Sequence, residues 1–174
     1  VGLSAEELIQ LAETPCEEPV LKTAFLFSCL TGLRKSDVKA FSWEMIQPEA
    51  DGTLYITTRM QKTKQIVHNP IGEEALALID SDSRMGLVFP GFKDSMTQTA
   101  LKQWIKAAGI TKNITYHSSR HTYCTLQLEA GTDSRTVQEL VGHKNLATTQ
   151  CYLDSVSSRK KEAANRITLK RKVE

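Results

Sequence analysis

A set of cationic side chains and one tyrosine stands out in this sequence. Thr31-Gly-Leu-Arg-Lys-Ser-Asp37 places Arg34 just after a predicted helix end. His117-Ser-Ser-Arg-His-Thr122 puts His117 and Arg120 three residues apart, near one turn of helix. Gly142-His143 precedes Tyr152 by nine residues, and Lys62-Thr-Lys64 falls in a polar turn with Arg59 close by. Guanidiniums fork onto the oxygens of anions, and a phenol hydroxyl can act as a nucleophile. Other chemistries lack their residues. Gly86 to Lys93 nearly spells a phosphate-binding loop, but its Lys is displaced by one and no Ser or Thr follows it. His117 and His121 have the spacing of two zinc ligands, yet Ser118 stands where a zinc protease needs Glu, and no third ligand is evident. Asp80 and Asp82 read as a solvated turn, and no acidic set suggests a two-metal nuclease.

Those residues must be held by elements that the pattern predicts. Ser4-Ala-Glu-Glu7 is a capping box, with Leu8, Leu11 and Ala12 on one helical face. A second helix runs from about Glu18 to Leu30 and stops at Thr31-Gly32; Ser36 or Asp37 starts a short one toward Phe41. Thr53–Thr58 and Gln65–His68 are β-branched and read as strands flanking the Arg59–Lys64 turn, with a third strand over Trp43–Ile46. Pro70-Ile-Gly72 ends the sheet and Glu73–Ile79 forms a short helix. Helices follow over Thr97–Ala108 and Ser118–Ala130, stopped by Gly109 and Gly131. Thr132 or Asp133 caps the next helix, whose Val137, Leu140 and Val141 share a face and which Gly142 closes; Asn145 caps another through Tyr152. The class is α+β, mainly helical, with a small antiparallel sheet.

Composition narrows the context. With 174 residues, 40% hydrophobic and 24% charged, the chain is one domain's worth and has enough apolar residues for a core. The longest apolar run is far too short to span a bilayer, and no signal segment precedes it, so an excised piece of a larger soluble protein is expected. The net charge of +2 is unevenly placed. Residues 1–20 carry five Glu and no Lys or Arg, whereas 158–174 carry seven Lys or Arg against Glu162 and Glu174. Such a basic tail suits phosphate or simply a solvated end. Four cysteines without a C-x-x-C pair fit a reducing compartment.

Taken jointly, the motifs resemble the catalytic domain of the tyrosine recombinases, the phage integrase family. The family pattern is an Arg in a G-L-R-x-S/G-E context, a hairpin Lys, H-x-x-R, then His or Trp, then the nucleophilic Tyr. Arg34, Lys62, His117, Arg120, His143 and Tyr152 fill it in order, across almost the whole chain. The departures are Ser118-Ser119, where the family often has Asp-Leu, and Asp37, where Glu is common. The N-terminal helical domain usual in the family has no counterpart. The resemblance implies DNA strand cleavage and rejoining through a 3′-phosphotyrosine on Tyr152, with neither metal nor cofactor. Two guanidiniums, Arg34 and Arg120, would clamp the phosphate. A phenol with a free pKa of about 10 needs an acceptor or local positive charge. The resemblance gives His117 the proton transfer, His143 a hydrogen bond to the phosphate, and a hairpin lysine the protonation of the leaving 5′ oxygen. Lys62 is preferred over Lys64, because Lys-Thr recurs there in the family. Lys35, Arg59 and Lys64 are further DNA-binding candidates.

Read singly, each residue has a plainer explanation: Arg34 as a surface ion-pair partner, His143 as a helix-end residue, Tyr152 as packing. His121 is expected to be buried behind the site, and Trp43, Trp104 and Phe25 to be core; Cys151 is read as buried on a helix face. The expected organisation is a catalytic domain over 1–157 and a basic tail over 158–174. Duplex DNA and copies of the chain are the expected partners, as a tetramer on DNA and a monomer alone, in a bacterial cytoplasm at the nucleoid and not in a membrane. Residues 156–174 are a candidate for packing on a neighbouring subunit, so deleting 158–174 is expected to weaken assembly more than chemistry. A monomeric type IB topoisomerase and a DNA-binding module without catalysis are the competing functions.

Overall fold

A central helix organises the molecule because its sequence is apolar nearly all round. In the computed structural model, which describes residues 1–59, 66–142 and 159–171, α2 (Pro19–Thr31) buries every residue from Ala24 to Leu30. Pro19 opens it at a position where its missing N–H costs nothing. Helix α1 (Ala5–Glu13) carries both bonds of its capping box: Ser4 N–H to Glu7 Oε1 at 2.8 Å, and Glu7 N–H to Ser4 Oγ at 3.2 Å. Phe25 meets Trp104 and Tyr116 edge-on, with ring centroids 5.8 and 5.4 Å away. Trp43, Trp104 and Phe25 are all buried, as expected.

After α2 come α3 (Lys35–Ala40), a 3-10 turn over Trp43–Met45, and strands β1 (Ile46–Pro48), β2 (Leu54–Arg59) and β3 (Ile66–Pro70). The strands form one antiparallel sheet in the order β1-β2-β3, with Tyr55 opposite Pro70 and Arg59 opposite Ile66. The third strand thus starts at Ile46, where the expected Trp43–Ile46 segment ends. Trp43 is drawn under the core instead, and its N–H bonds Gly86 O at 3.0 Å. Helices α4 (Glu73–Leu78), α5 (Ala100–Ala107), α6 (Ser118–Glu129) and α7 (Ser134–Val141) follow. The helix expected from Thr97 is interrupted: Asp94–Thr97 is a 3-10 turn, and α5 begins at Ala100. Asp133 caps α7 by accepting the Thr136 N–H. The helix expected from Asn145 through Tyr152, and with it Cys151, lies outside the described residues.

The chain closes on itself at its end. Residues 159–164 are helical, and Ala163 and Ile167 join the core beside α6 and α4. Gln127 Nε2 donates to Ala163 O at 2.7 Å, and Glu74 accepts from Thr168 and Leu169. Gly72 sits so close that a Cβ there would lie 2.2 Å from Ala164 O. The sheet is tied in at the same place: Asn69 Nδ2 donates to Leu140 O at 2.6 Å and Lys160 Nζ to His68 O at 3.0 Å, while Lys161 pairs with Asp51. Residues 159–171 are therefore part of this domain's own packing. Among the described residues no helix is long and apolar enough to cross a membrane.

Candidate active site

Three helix ends converge on one place. Helix α2 stops at Gly32, whose φ of +78° lets the chain turn left-handed and whose N–H returns to Ser28 O at 2.8 Å. The ring of Tyr123 lies over this glycine; a Cβ would stand 2.8 Å from Tyr123 Cδ2. Thr31 Oγ1 donates to Phe27 O and accepts the Leu33 N–H, and Leu33 is buried. Arg34 is thereby delivered to the mouth of α3. Its N–H donates to Asp37 Oδ2 at 3.0 Å, so the Asp that replaces the family's usual Glu holds the start of α3.

Helix α6 supplies the other two residues. Its first turn is braced by the serines that depart from the family pattern. Ser118 Oγ accepts the Thr115 N–H at 3.0 Å, and Ser119 Oγ donates to Tyr116 O at 2.7 Å. Thr122 Oγ1 donates to Ser118 O and accepts the Leu3 N–H at 2.9 Å, which ties the start of the chain to this helix. Arg120 then reaches across: Nη1 donates to Gly32 O at 2.8 Å and Nη2 to Val141 O at 2.9 Å. One guanidinium thus joins the carbonyl ends of α2 and α7, where helix dipoles favour a cation. Only some of its five N–H donors serve these carbonyls, so the fork retains capacity for an anion.

The electrostatics agree with the geometry. Burial first, then His121, Arg120 and Arg34, hold the His117 imidazole below its ordinary pKa. Burial first, then Arg34, lower the Arg120 guanidinium, while Asp37 acts in the opposite direction. Arg34, His117 and Arg120 therefore form one strongly cationic cluster with a neutral-leaning imidazole on its open side. The His117 and His121 rings meet edge-on at 5.3 Å. His121 is exposed, contrary to the expectation of a buried residue: it shares the outward stripe of α6 with His117, Thr125 and Leu128, and Thr122, Tyr123 and Leu126 take the inner face. Among the described residues no three His, Cys, Asp or Glu side chains gather as metal ligands would.

Arg59 ends β2 on an exposed rim, and Lys35 opens α3 in an ion pair with Asp94. Lys62, Lys64, His143 and Tyr152 lie outside the described residues. Sequence reasoning had not singled out Tyr123 or Gly32 as supports of the site. The glycine was legible as a helix stop, but nothing local ties it to an aromatic ring 91 residues on.

The phage integrase family model matches residues 3–159. The chain belongs to the phage integrase family. Among relatives, the tyrosine recombinase XerC of Xanthomonas axonopodis pv. citri (strain 306) is 31% identical over 164 residues, covering 86% of this chain and 52% of that one. The tyrosine recombinase XerD of Lacticaseibacillus casei is 33% identical over 135 residues, covering 70% and 46%. The chain spans about half the length of the curated relatives it matches. The integrase from mycobacterium phage Brujita superposes with a TM-score of 0.76 at 24% identity, covering 98% of this chain and 59% of that one. The lambda integrase catalytic core does so with a TM-score of 0.59 at 20% identity, covering 86% and 95%. The phage integrase fold is thus shared: helices enclosing α2, and a small antiparallel sheet beside them.

Proposed function

We propose that this phage integrase family domain performs site-specific recombination of duplex DNA by metal-independent cleavage and rejoining. Tyr152 Oη attacks the scissile phosphorus and forms the phosphotyrosine bond as the bond to the 5′ oxygen breaks. The phenolic proton passes to His117, and the 5′ oxygen takes a proton from Lys62. Arg34 and Arg120 hold the non-bridging oxygens as charge builds on them, and His143 donates a hydrogen bond to the same phosphate. Attack by the 5′ hydroxyl of another strand reverses the step, so the phosphodiester energy is conserved without a cofactor. Lys35, Arg59 and Lys64 contact the DNA backbone on this reading.

The observation that carries the proposal is the gathering of Arg34, His117 and Arg120 at one mouth, with His117 biased toward its neutral, proton-accepting form. Further support comes from neighbours of the same fold: XerH bound to a difH substrate, a lambda integrase dimer on a COC′ core site, and FLP recombinase on a Holliday junction. By analogy, this chain acts on duplex DNA as an assembly of its own copies, tetrameric on paired sites, in the cytoplasm of a bacterium. Residues 1–157 carry the chemistry on this reading, and 158–174 form its basic end.

The test is a covalent trap. The full-length protein is mixed with a nicked duplex bearing its cognate site, so that cleavage releases a short fragment and cannot reverse. A denaturing gel is then read for an adduct, with Tyr152→Phe alongside. We expect an adduct in the wild type and none in the variant. Tight binding without an adduct would move the assignment to a regulatory DNA-binding module.

A further inference from the structure

Lys35 and Lys39 stand one turn apart on α3, about 6 Å along its axis. Both reach Asp94, the first residue of the 3-10 turn that precedes α5. Lys39 Nζ is 2.8 Å from Asp94 Oδ2, and Lys35 Nζ is 3.4 Å from Oδ1. One carboxylate draws together two ammoniums that would otherwise repel, and the three groups together carry a net positive charge. The hydrogen bond from Lys39 leads in holding the Asp94 carboxyl below its usual range. The side chains are 42%, 43% and 54% exposed for Lys35, Lys39 and Asp94, so water and salt reach both pairs. Screened pairs of this kind exchange readily for another anion. Lys35 also follows Arg34 directly in the chain, at the mouth of α3.

We propose that this edge of α3 is a second contact for the DNA backbone and that Asp94 stands in for a phosphate there until DNA arrives. A phosphodiester oxygen takes over the two ammoniums, and Asp94 competes for them. The carboxylate keeps the lysines gathered in the free protein and limits how tightly the edge grips any duplex. The inference rests on the DNA reading above and deepens it by naming a residue that moderates affinity without touching the reacting phosphate.

The experiment is an anisotropy titration of full-length protein against a labelled random-sequence duplex at several salt concentrations. Wild type is compared with Asp94→Asn, with Asp80→Asn, and with Asp94→Asn on a Lys39→Gln background. Asp80 is an exposed acid paired with Arg84 and with neither lysine, so its variant makes the same charge change outside the triplet. Asp94→Asn is expected to bind more tightly and to steepen the salt slope by about 0.9, the increment for one further phosphate contact. Between about 50 and 200 mM salt that is a roughly three- to fourfold additional loss of affinity. Asp80→Asn should gain less, and Lys39→Gln should remove much of the Asp94→Asn gain. Equal gains from Asp94→Asn and Asp80→Asn would overturn the proposal, as would weaker binding by Asp94→Asn or a gain indifferent to Lys39. A wild type that binds no duplex would overturn the DNA reading itself, and this inference with it.

Discussion

Replacing Arg120 with Lys keeps the charge and removes the fork. In the native arrangement Nη1 and Nη2 reach carbonyls on two different helix ends, 2.8 and 2.9 Å away. A lysine ammonium is a single point and cannot span both. One charge-assisted hydrogen bond is therefore lost, worth about 1.5–3 kcal/mol. Arg120 is only partly buried, so water can reach the abandoned carbonyl and the lower end of that range applies. A loss of about 2 kcal/mol in a domain of this size lowers Tm by roughly 4–8 °C. If Arg120 clamps the phosphate as proposed, cleavage should fall further than stability, by about a hundred- to a thousandfold. Thermal unfolding followed by circular dichroism gives the first number, and single-turnover cleavage of the nicked duplex gives the second. A Tm within about 1 °C of wild type would refute the two-carbonyl bridge. A large Tm loss with unchanged cleavage would make Arg120 a structural residue only.

Gly32→Ala should cost about 2–4 kcal/mol in urea unfolding, from the left-handed backbone and the contact with Tyr123 together; a cost below about 0.5 kcal/mol would mean that the ring does not lie over Gly32 in solution. The His117 imidazole should titrate below about 6.5 by NMR and move upward in Arg34→Gln, since one repelling cation is gone. Because the folded state resists this proton, stability falls as pH drops from about 6.5 through the folded value, and is unaffected by His117 above that window; an upward-shifted His117 would refute the cationic cluster. Ile167→Ala should destabilise the domain by about 2–5 kcal/mol, as a buried core residue would. If the cost is under about 1 kcal/mol, residues 159–171 do not pack on the core in solution.

Local signals were the readable ones. The Ser4–Glu7 box, the Gly32 stop, the Asp133 cap and the β-branched strands are each settled within a few residues, and each stands where the pattern puts it. What was missed depends on distant partners. The Trp43 segment leaves the sheet because the indole is wanted by the core. His121 faces out because α6 has more inward-facing residues than the motif alone reveals, and its type gave no hint of that. Asp94 lies 55 residues from Lys39, and no spacing rule links an exposed Asp to a lysine so far away. The packing of 159–171 was hidden for a related reason: a run rich in Lys and Arg conceals Ala163 and Ile167, the two residues that are buried. Arg34, His117 and Arg120 were legible as a group only because three short motifs occur together, and their actual proximity is made by Gly32 and Tyr123.

The bond from the Leu3 amide to Thr122 carries an architectural consequence. It pins the chain two residues beyond Arg120 on the same helix, and the Gly2 position is packed against the Thr122 backbone, where a Cβ would approach to 3.1 Å. A segment joined to Val1 would depart from that spot, on the rim of the face that carries His117 and Arg120. A module hung there would have its hinge beside the cluster of Arg34, His117 and Arg120 and not on the far side of the domain. Tension on such a tether would be felt first by the helix that carries Arg120, and through it by the carbonyl ends of α2 and α7 that Arg120 joins.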